Sequence, residues 1–210
     1  MKVIGITGPT GAGKTTALNA LTSLGGCIID ADAVYHDLTV SSAEMQAELT
    51  ARFGDVYQGN VLDRKKLGAI VFQDKKALED LNTITHKYVD RETGRRIEEA
   101  RAQGLPAAAI DAIALFEGGL AELCDITVAV TAPEAQRVQR LMARDGISEA
   151  YASSRIAAQH TEAWFRERCG YLLENDGTPE QFREKCLAFF RQSGIIAVQT
   201  QPNGGFSYDD

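Results

Sequence analysis

Short apolar runs alternate with longer stretches whose apolar side chains recur every three or four residues, and this alternation sets the expected order of elements. Residues 3–7 form a mostly β-branched run closed by Gly-Pro-Thr-Gly, the pattern of a buried strand entering a loop. Over 14–24 the apolar positions Ala17, Leu18 and Leu21 keep helical spacing, and Gly25-Gly26 stops the helix. A second short strand at 27–29 runs into Asp30-Ala31-Asp32, so the chain opens as a parallel β-α-β unit. From 33 to 104 no clear strand pattern is present. Helices with polar faces are expected over 44–53, 64–72 and 76–101, the last interrupted only by Gly94. Near-continuous apolar runs at 107–116 and 126–131 suit central strands covered on both faces. A helical pattern over 134–159, broken at Gly146, precedes a fifth strand at 171–173 and a closing helix at 179–190.

The expected fold is therefore α/β, a five-stranded parallel sheet with helices on both faces, in a single domain over 1–198. The core would comprise about 1–32, 108–136 and 169–198, with a helical insertion at about 33–107, and 199–210 read as a loosely packed tail.

Composition changes little in this picture. The chain has 210 residues, 44% apolar and 24% charged, which is enough to bury a full sheet core. A net charge of -7 disfavours non-specific binding to DNA or anionic lipid, so no nucleic-acid or membrane partner is expected. Four cysteines form no C-x-x-C pair and no zinc spacing with the three histidines, which reads as buried, inert thiols. The first residues run straight into a strand pattern without a charged-then-apolar leader, and no apolar run approaches the ~18 residues of a membrane span. A cytoplasmic protein is the resulting expectation; a monomer is expected, with an oligomer left open.

The chemistry begins at Gly8-Pro9-Thr10-Gly11-Ala12-Gly13-Lys14-Thr15, followed by Thr16, which fits G-x-x-x-x-G-K-[ST] at every specified position. Glycines let backbone N–H groups turn inward on β- and γ-phosphate oxygens, Lys14 adds a mobile positive charge, and the Thr15 hydroxyl suits Mg²⁺. A random chain of this length matches on the order of 1% of the time; a preceding strand and a following helix make chance rarer still. A dinucleotide fingerprint fails, because its third glycine would fall on Thr16. The loop thus predicts ATP as phosphoryl donor with Mg²⁺. Beside it, at the carboxyl end of the second strand, Asp30 and Asp32 are candidates to orient or deprotonate an acceptor hydroxyl. Read as an extended segment, alternation puts both on one side, with Asp32 nearer the cleft mouth; capping of the next helix is the competing use.

With Ile29-Asp30-Ala31-Asp32, the loop resembles the opening of the dephospho-coenzyme A kinase family. The likeness continues through Leu62-Asp63-Arg64 with Val71-Phe72, through Ile110-Asp111-Ala112-Ile113 with Leu115-Phe116-Glu117-Gly118, through Pro133-Glu134 with Arg140-Leu141 and Arg144-Asp145, and through Glu174-Asn175-Asp176-Gly177. It spans roughly 1 to 190, and departs from the family pattern at Ile113, Lys87 and Gly170, which bears on acceptor geometry. The resemblance implies a P-loop NTPase fold and transfer of the ATP γ-phosphoryl group to the ribose 3′-hydroxyl of dephospho-coenzyme A. It also implies an acceptor-binding role for the helical insertion and a short lid over about 137–168.

By itself, the spacing of Arg137, Arg140 and Arg144 marks one helical face and reads as a solvated basic surface. The resemblance selects Arg140 and Arg144 as catalytic lid arginines, beside Lys14 and Asp32, and leaves Arg137 on the solvated face. It further implies that Asn175 lies near the adenine, against its alternative as a turn residue, and that Arg64 and His86 help bind the acceptor. Glu117 is expected at the end of a central strand, facing the acceptor or a Mg²⁺-bound water, with helix capping as the alternative. Other P-loop kinases of small metabolites, or a nucleotide-binding regulator, share the loop; the chain carries neither the N-K-x-D of GTPases nor the L-S-G-G-Q of transporter ATPases.

Overall fold

The computed structural model describes residues 1–192, 194 and 195; the segment read as a tail lies outside them. Strands β1 (Lys2–Thr7), β2 (Cys27–Asp30), β5 (Ala107–Asp111), β6 (Ile126–Thr131) and β7 (Tyr171–Glu174) form one sheet in the order β2-β5-β1-β6-β7. Every pairing in it is parallel. Val3 to Thr7 are all buried, which is why β1 and its neighbours read as unbroken apolar runs rather than alternating ones.

Helices cover both faces. On one, α1 (Lys14–Ser23) and α9 (Pro179–Gln192) bury Leu18, Leu21, Phe182 and Phe190 against Ile4, Ile6 and Val130. On the other, α2 (Ala31–Ser41) and α5 (Lys75–Ala102) bury Val34, Val89 and Ile97 against Val3, Ile29 and Ile110. A separate apolar cluster joins α3 (Ala43–Phe53) and α4 (Arg64–Val71) to α5 through Met45, Leu49, Leu67 and Tyr88. The last helices before the edge strand are α6 (Glu134–Asp145), α7 (Glu149–Ala157) and α8 (Glu162–Arg168). Val138, Leu141, Ala152 and Ile156 hold α6 to α7, and Gly146 caps α6 at φ 65, where a left-handed turn favours glycine.

Four expectations change. The strand expected over 107–116 ends at Asp111; the residues after it form turns that bury Ala112 and Leu115 and leave Ile113 exposed, with the Gly118 N–H on the Ala114 carbonyl at 2.9 Å. Apolar periodicity does not separate a strand from a buried turn over so short a run. Extended backbone at the second strand stops at Asp30, which caps α2 by accepting from the Ala33 N–H at 2.9 Å, so Asp30 and Asp32 do not alternate along a strand. A two-stranded antiparallel ribbon, β3 (Tyr57–Gln58) and β4 (Val61–Leu62), interrupts the helical segment; strands of two residues leave no pattern to read. Helix α5 continues through Gly94 unbroken.

The cysteines are free, and burial raises their thiol pKa values, to about 12 for Cys124 and Cys186 and about 11 for Cys169. Raised thiols are poor nucleophiles.

Candidate active site

The chain leaves β1 at Gly8, whose φ of 137 is closed to side chains; a Cβ there would stand 2.1 Å from the Val130 carbonyl oxygen of the neighbouring strand. The loop returns at Gly13, φ 106, where a Cβ would meet the Asn175 Nδ2 at 2.4 Å. Helix α1 starts there with no side-chain cap and no acidic residue in its first turn, so its amide N–H groups and positive dipole end face the loop unscreened. This arrangement suits an anion. The loop floors a cavity of about 430 Å³ that Gly8 to Gly11, Gly13 to Thr15, Arg140, Arg144 and Arg155 line.

Lys14 reaches across the carboxyl edge of the sheet and donates from Nζ to Asp111 Oδ1 at 2.8 Å. Asp111, not Glu117, is the acid that ends the central strand, and sequence reasoning missed it. Its signal was position: it follows four buried alanine and isoleucine residues on a strand beside β1. Glu117 lies instead in the turns that follow, exposed, its Oε1 2.7 Å from His160 Nε2. The His160 ring stacks on Trp164 with centroids 3.8 Å apart, tying the start of α8 to a cleft beside Gly8 and Pro9. Thr15 is exposed on the cavity, while Thr16 is half-buried and its N–H bonds the Gly13 carbonyl at 3.0 Å.

The three arginines of α6 separate into three roles. Arg140 donates to the Gly11 carbonyl at 3.2 Å, to Gln136 at 3.0 Å and to Asn175 Oδ1 at 3.3 Å, so it stands over the loop. Arg144 is exposed and grips Asp145 with a two-point fork at 2.7 and 3.0 Å. Arg155 of α7 joins the same carboxylate at 2.7 Å, and these hydrogen bonds, with Arg144 foremost, pull the pKa of Asp145 down to about 2. Arg155 is a second residue that sequence reasoning missed.

Arg137 overturns its expectation. It is 9% exposed, with Nε on the Thr10 carbonyl at 3.0 Å and Nη2 on Gln159 Oε1 at 3.3 Å. Gln159 also accepts from the Thr10 N–H at 3.0 Å, so the pair clamps one loop residue by both backbone groups. Arg137 shares the buried face of α6 with Val138 and Leu141, a signal that spacing from the other arginines had hidden. Asn175 is likewise no turn residue. It is 6% exposed and donates to the Ala12 carbonyl at 2.8 Å, bracing the loop from beneath.

Asp32, free of the capping role that Asp30 fills, lines a second cavity of about 190 Å³ together with His86, Tyr35 and Asp90. Ile113, 58% exposed, borders both cavities. Arg64 is not brought to this cavity; it donates to His36 Nδ1, and its charge works against the burial that raises the Tyr35 pKa. Among the described residues no group of three or more His, Cys, Asp or Glu could hold a metal unaided. Oxygen donors that suit Mg²⁺ alongside phosphate do line the loop cavity, in Thr15 and Asp111.

A family profile for dephospho-CoA kinase matches residues 2–181. A dephospho-CoA kinase of Moorella thermoacetica is 36% identical over 208 residues, which cover 97% of this chain and 98% of that one. That of Geobacter sulfurreducens is 33% identical over 187 residues, covering 88% and 95%. A solved structure from Thermus thermophilus superposes with a TM-score of 0.72 at 33% identity, covering 90% of this chain and 95% of that one.

Proposed function

Because the chain belongs to the dephospho-CoA kinase family, we propose that it transfers the γ-phosphoryl group of ATP to the ribose 3′-hydroxyl of dephospho-coenzyme A, yielding ADP and coenzyme A. The carrying observation is the junction of the two cavities at Ile113, with Lys14 on one side and Asp32 on the other. In this reading ATP phosphates lie in the loop, against the open N–H groups of α1 and the Lys14 ammonium. Asp111 keeps Lys14 extended toward them. Arg140 and Arg144 meet the charge that grows on the phosphoryl oxygens, with Arg155 beside them. Thr15 would hold Mg²⁺, which would supply positive charge to offset that of the phosphates.

The acceptor lies between α2 and α5, in the helical insertion, with its hydroxyl on Asp32. The 3′-oxygen bonds to phosphorus as the bond to the β,γ-bridging oxygen breaks; the hydroxyl proton passes to Asp32 and on to solvent. Segment 137–168 acts as the lid. Asn175 and Arg137 serve the nucleotide through the loop they brace. We place the reaction in the cytoplasm, on a monomer; among the described residues no helix is long and apolar enough to cross a membrane.

A coupled ADP-release assay over a panel of dephospho-coenzyme A and nucleoside monophosphates tests the acceptor. Asp32→Asn should lower kcat by about 10²–10⁴ with ADP affinity nearly unchanged. Asp30→Asn should cost less in rate. Preference for a nucleoside monophosphate would refute the acceptor, and an Asp32→Asn enzyme within about threefold of the parent would remove the base assignment.

A further inference from the structure

Two cations on the wall of the loop cavity are held by one anion that lies off it. Arg144 and Arg155 both line the cavity, whereas Asp145, the carboxylate they share, does not. The Asp145 side chain is 24% exposed, against 61% and 39% for the two arginines, so it is the sheltered member of the three. It accepts from Nε and Nη2 of Arg144 at 2.7 and 3.0 Å and from Nη1 of Arg155 at 2.7 Å. Among the described residues neither arginine has another hydrogen-bond partner. Each guanidinium therefore keeps N–H groups free for oxygen ligands.

Helix α6 does not account for this carboxylate. Asp145 is its last residue, where negative charge opposes the helix dipole. The apolar seam of Val138, Leu141, Ala152 and Ile156 already joins α6 to α7 and brings the two arginine backbones together. That seam leaves the side chains unset, because neighbouring guanidinium groups repel and each has many rotamers. A carboxylate hydrogen-bonded to both offsets the repulsion and fixes both forks before any phosphate arrives. The same bonds, that of Arg144 foremost, hold Asp145 down to about 2, so it is ionised at neutral pH.

Resting on the phosphoryl-transfer reading above, we propose that Asp145 is a positioning residue for that reaction, holding Arg144 and Arg155 side by side so that both meet the transferring phosphoryl group. It touches no substrate. It acts through the two arginines, and in the transition state more than in binding.

Coupled ADP-release kinetics of Asp145→Asn, in the parent chain and in an Arg144→Ala/Arg155→Ala background, test this. In the parent chain kcat should fall about 10- to 100-fold, the range for misplacing groups that meet the transition state. KM for ATP and affinity for ADP should stay within about twofold. In the arginine-less background the same substitution should change kcat by less than about twofold, since its effect has no other route. A merely structural carboxylate would lower Tm and spare kcat below the transition; that result overturns the inference, as does an equal loss of kcat in both backgrounds. A rise in kcat or in ATP affinity would mean that Asp145 screens the arginines from phosphate, and overturns it too. Should Asp145→Asn not fold, Asp145→Glu, which keeps the charge and moves it by one methylene, goes through the same two backgrounds; a loss confined to the parent chain is expected, and no loss overturns the inference. If Arg144→Ala/Arg155→Ala retains parental kcat, or if the parent does not phosphorylate dephospho-coenzyme A, the underlying reading falls and takes this inference with it.

Discussion

Replacing Arg137 with alanine removes a buried guanidinium from beside the phosphate loop. Its two hydrogen bonds, to the Thr10 carbonyl at 3.0 Å and to Gln159 at 3.3 Å, hold the loop to α6 and to the residues just after α7. A hydrogen bond from a charged donor contributes about 1.5–3 kcal/mol, and the space left by the side chain adds to the loss. Against this, burial penalises the charge and lowers the Arg137 pKa, a cost that vanishes with the charge. The balance is a destabilisation of about 2–4 kcal/mol, or about 4–16 °C in Tm for a domain of this size. Because the bonds fix loop backbone, KM for ATP should rise while kcat falls. Arg137→Lys should recover little, since one ammonium cannot span both acceptors. The exposed Arg144→Ala serves as control and should cost at most about 1 kcal/mol in stability. Thermal unfolding with the coupled assay measures both effects. An Arg137→Ala protein with Tm within about 1 °C of the parent and unchanged KM for ATP would refute the brace.

Two further outcomes follow from the same geometry. Lys14→Met should lower kcat by on the order of 10² or more while binding of the acceptor persists; turnover equal to the parent at saturating ATP would exclude Lys14 from the chemistry. The Asp145 carboxyl, held down to about 2, stabilises the fold fully above its ordinary value of 3.8 and loses that contribution as pH falls through about 2. Asp145→Asn should therefore lower Tm at neutral pH, and the gap from the parent should close across that acidic window; a gap constant with pH would show that the cluster is not titrating.

Much of the fold was legible because its determinants are local. The β-α-β opening and the phosphate loop depend on short apolar runs, on glycines at positive φ and on a helix start, all before α2 begins at Ala31. Gly8 and Gly13 are required by backbone that a side chain would strike. The end of β5 was not legible, since apolar residues continue past Asp111 into turns and look the same in one dimension. Glu117 was misplaced for that reason and Asp111 overlooked.

By itself the chain's order of residues determined the fold class, the phosphate loop and the identity of Lys14, Thr15 and Asp32 as candidates for the chemistry. Only the tertiary structure decided which side chains touch. Asp111, Arg137, Arg140, Gln159 and Asn175 come from four separate segments and converge on one loop because parallel strands deliver their carboxyl ends to the same edge. Arg137 and Arg144 belong to one helix, yet one is buried against the loop and the other exposed on Asp145. That difference comes from what α6 packs against, which no spacing within α6 encodes.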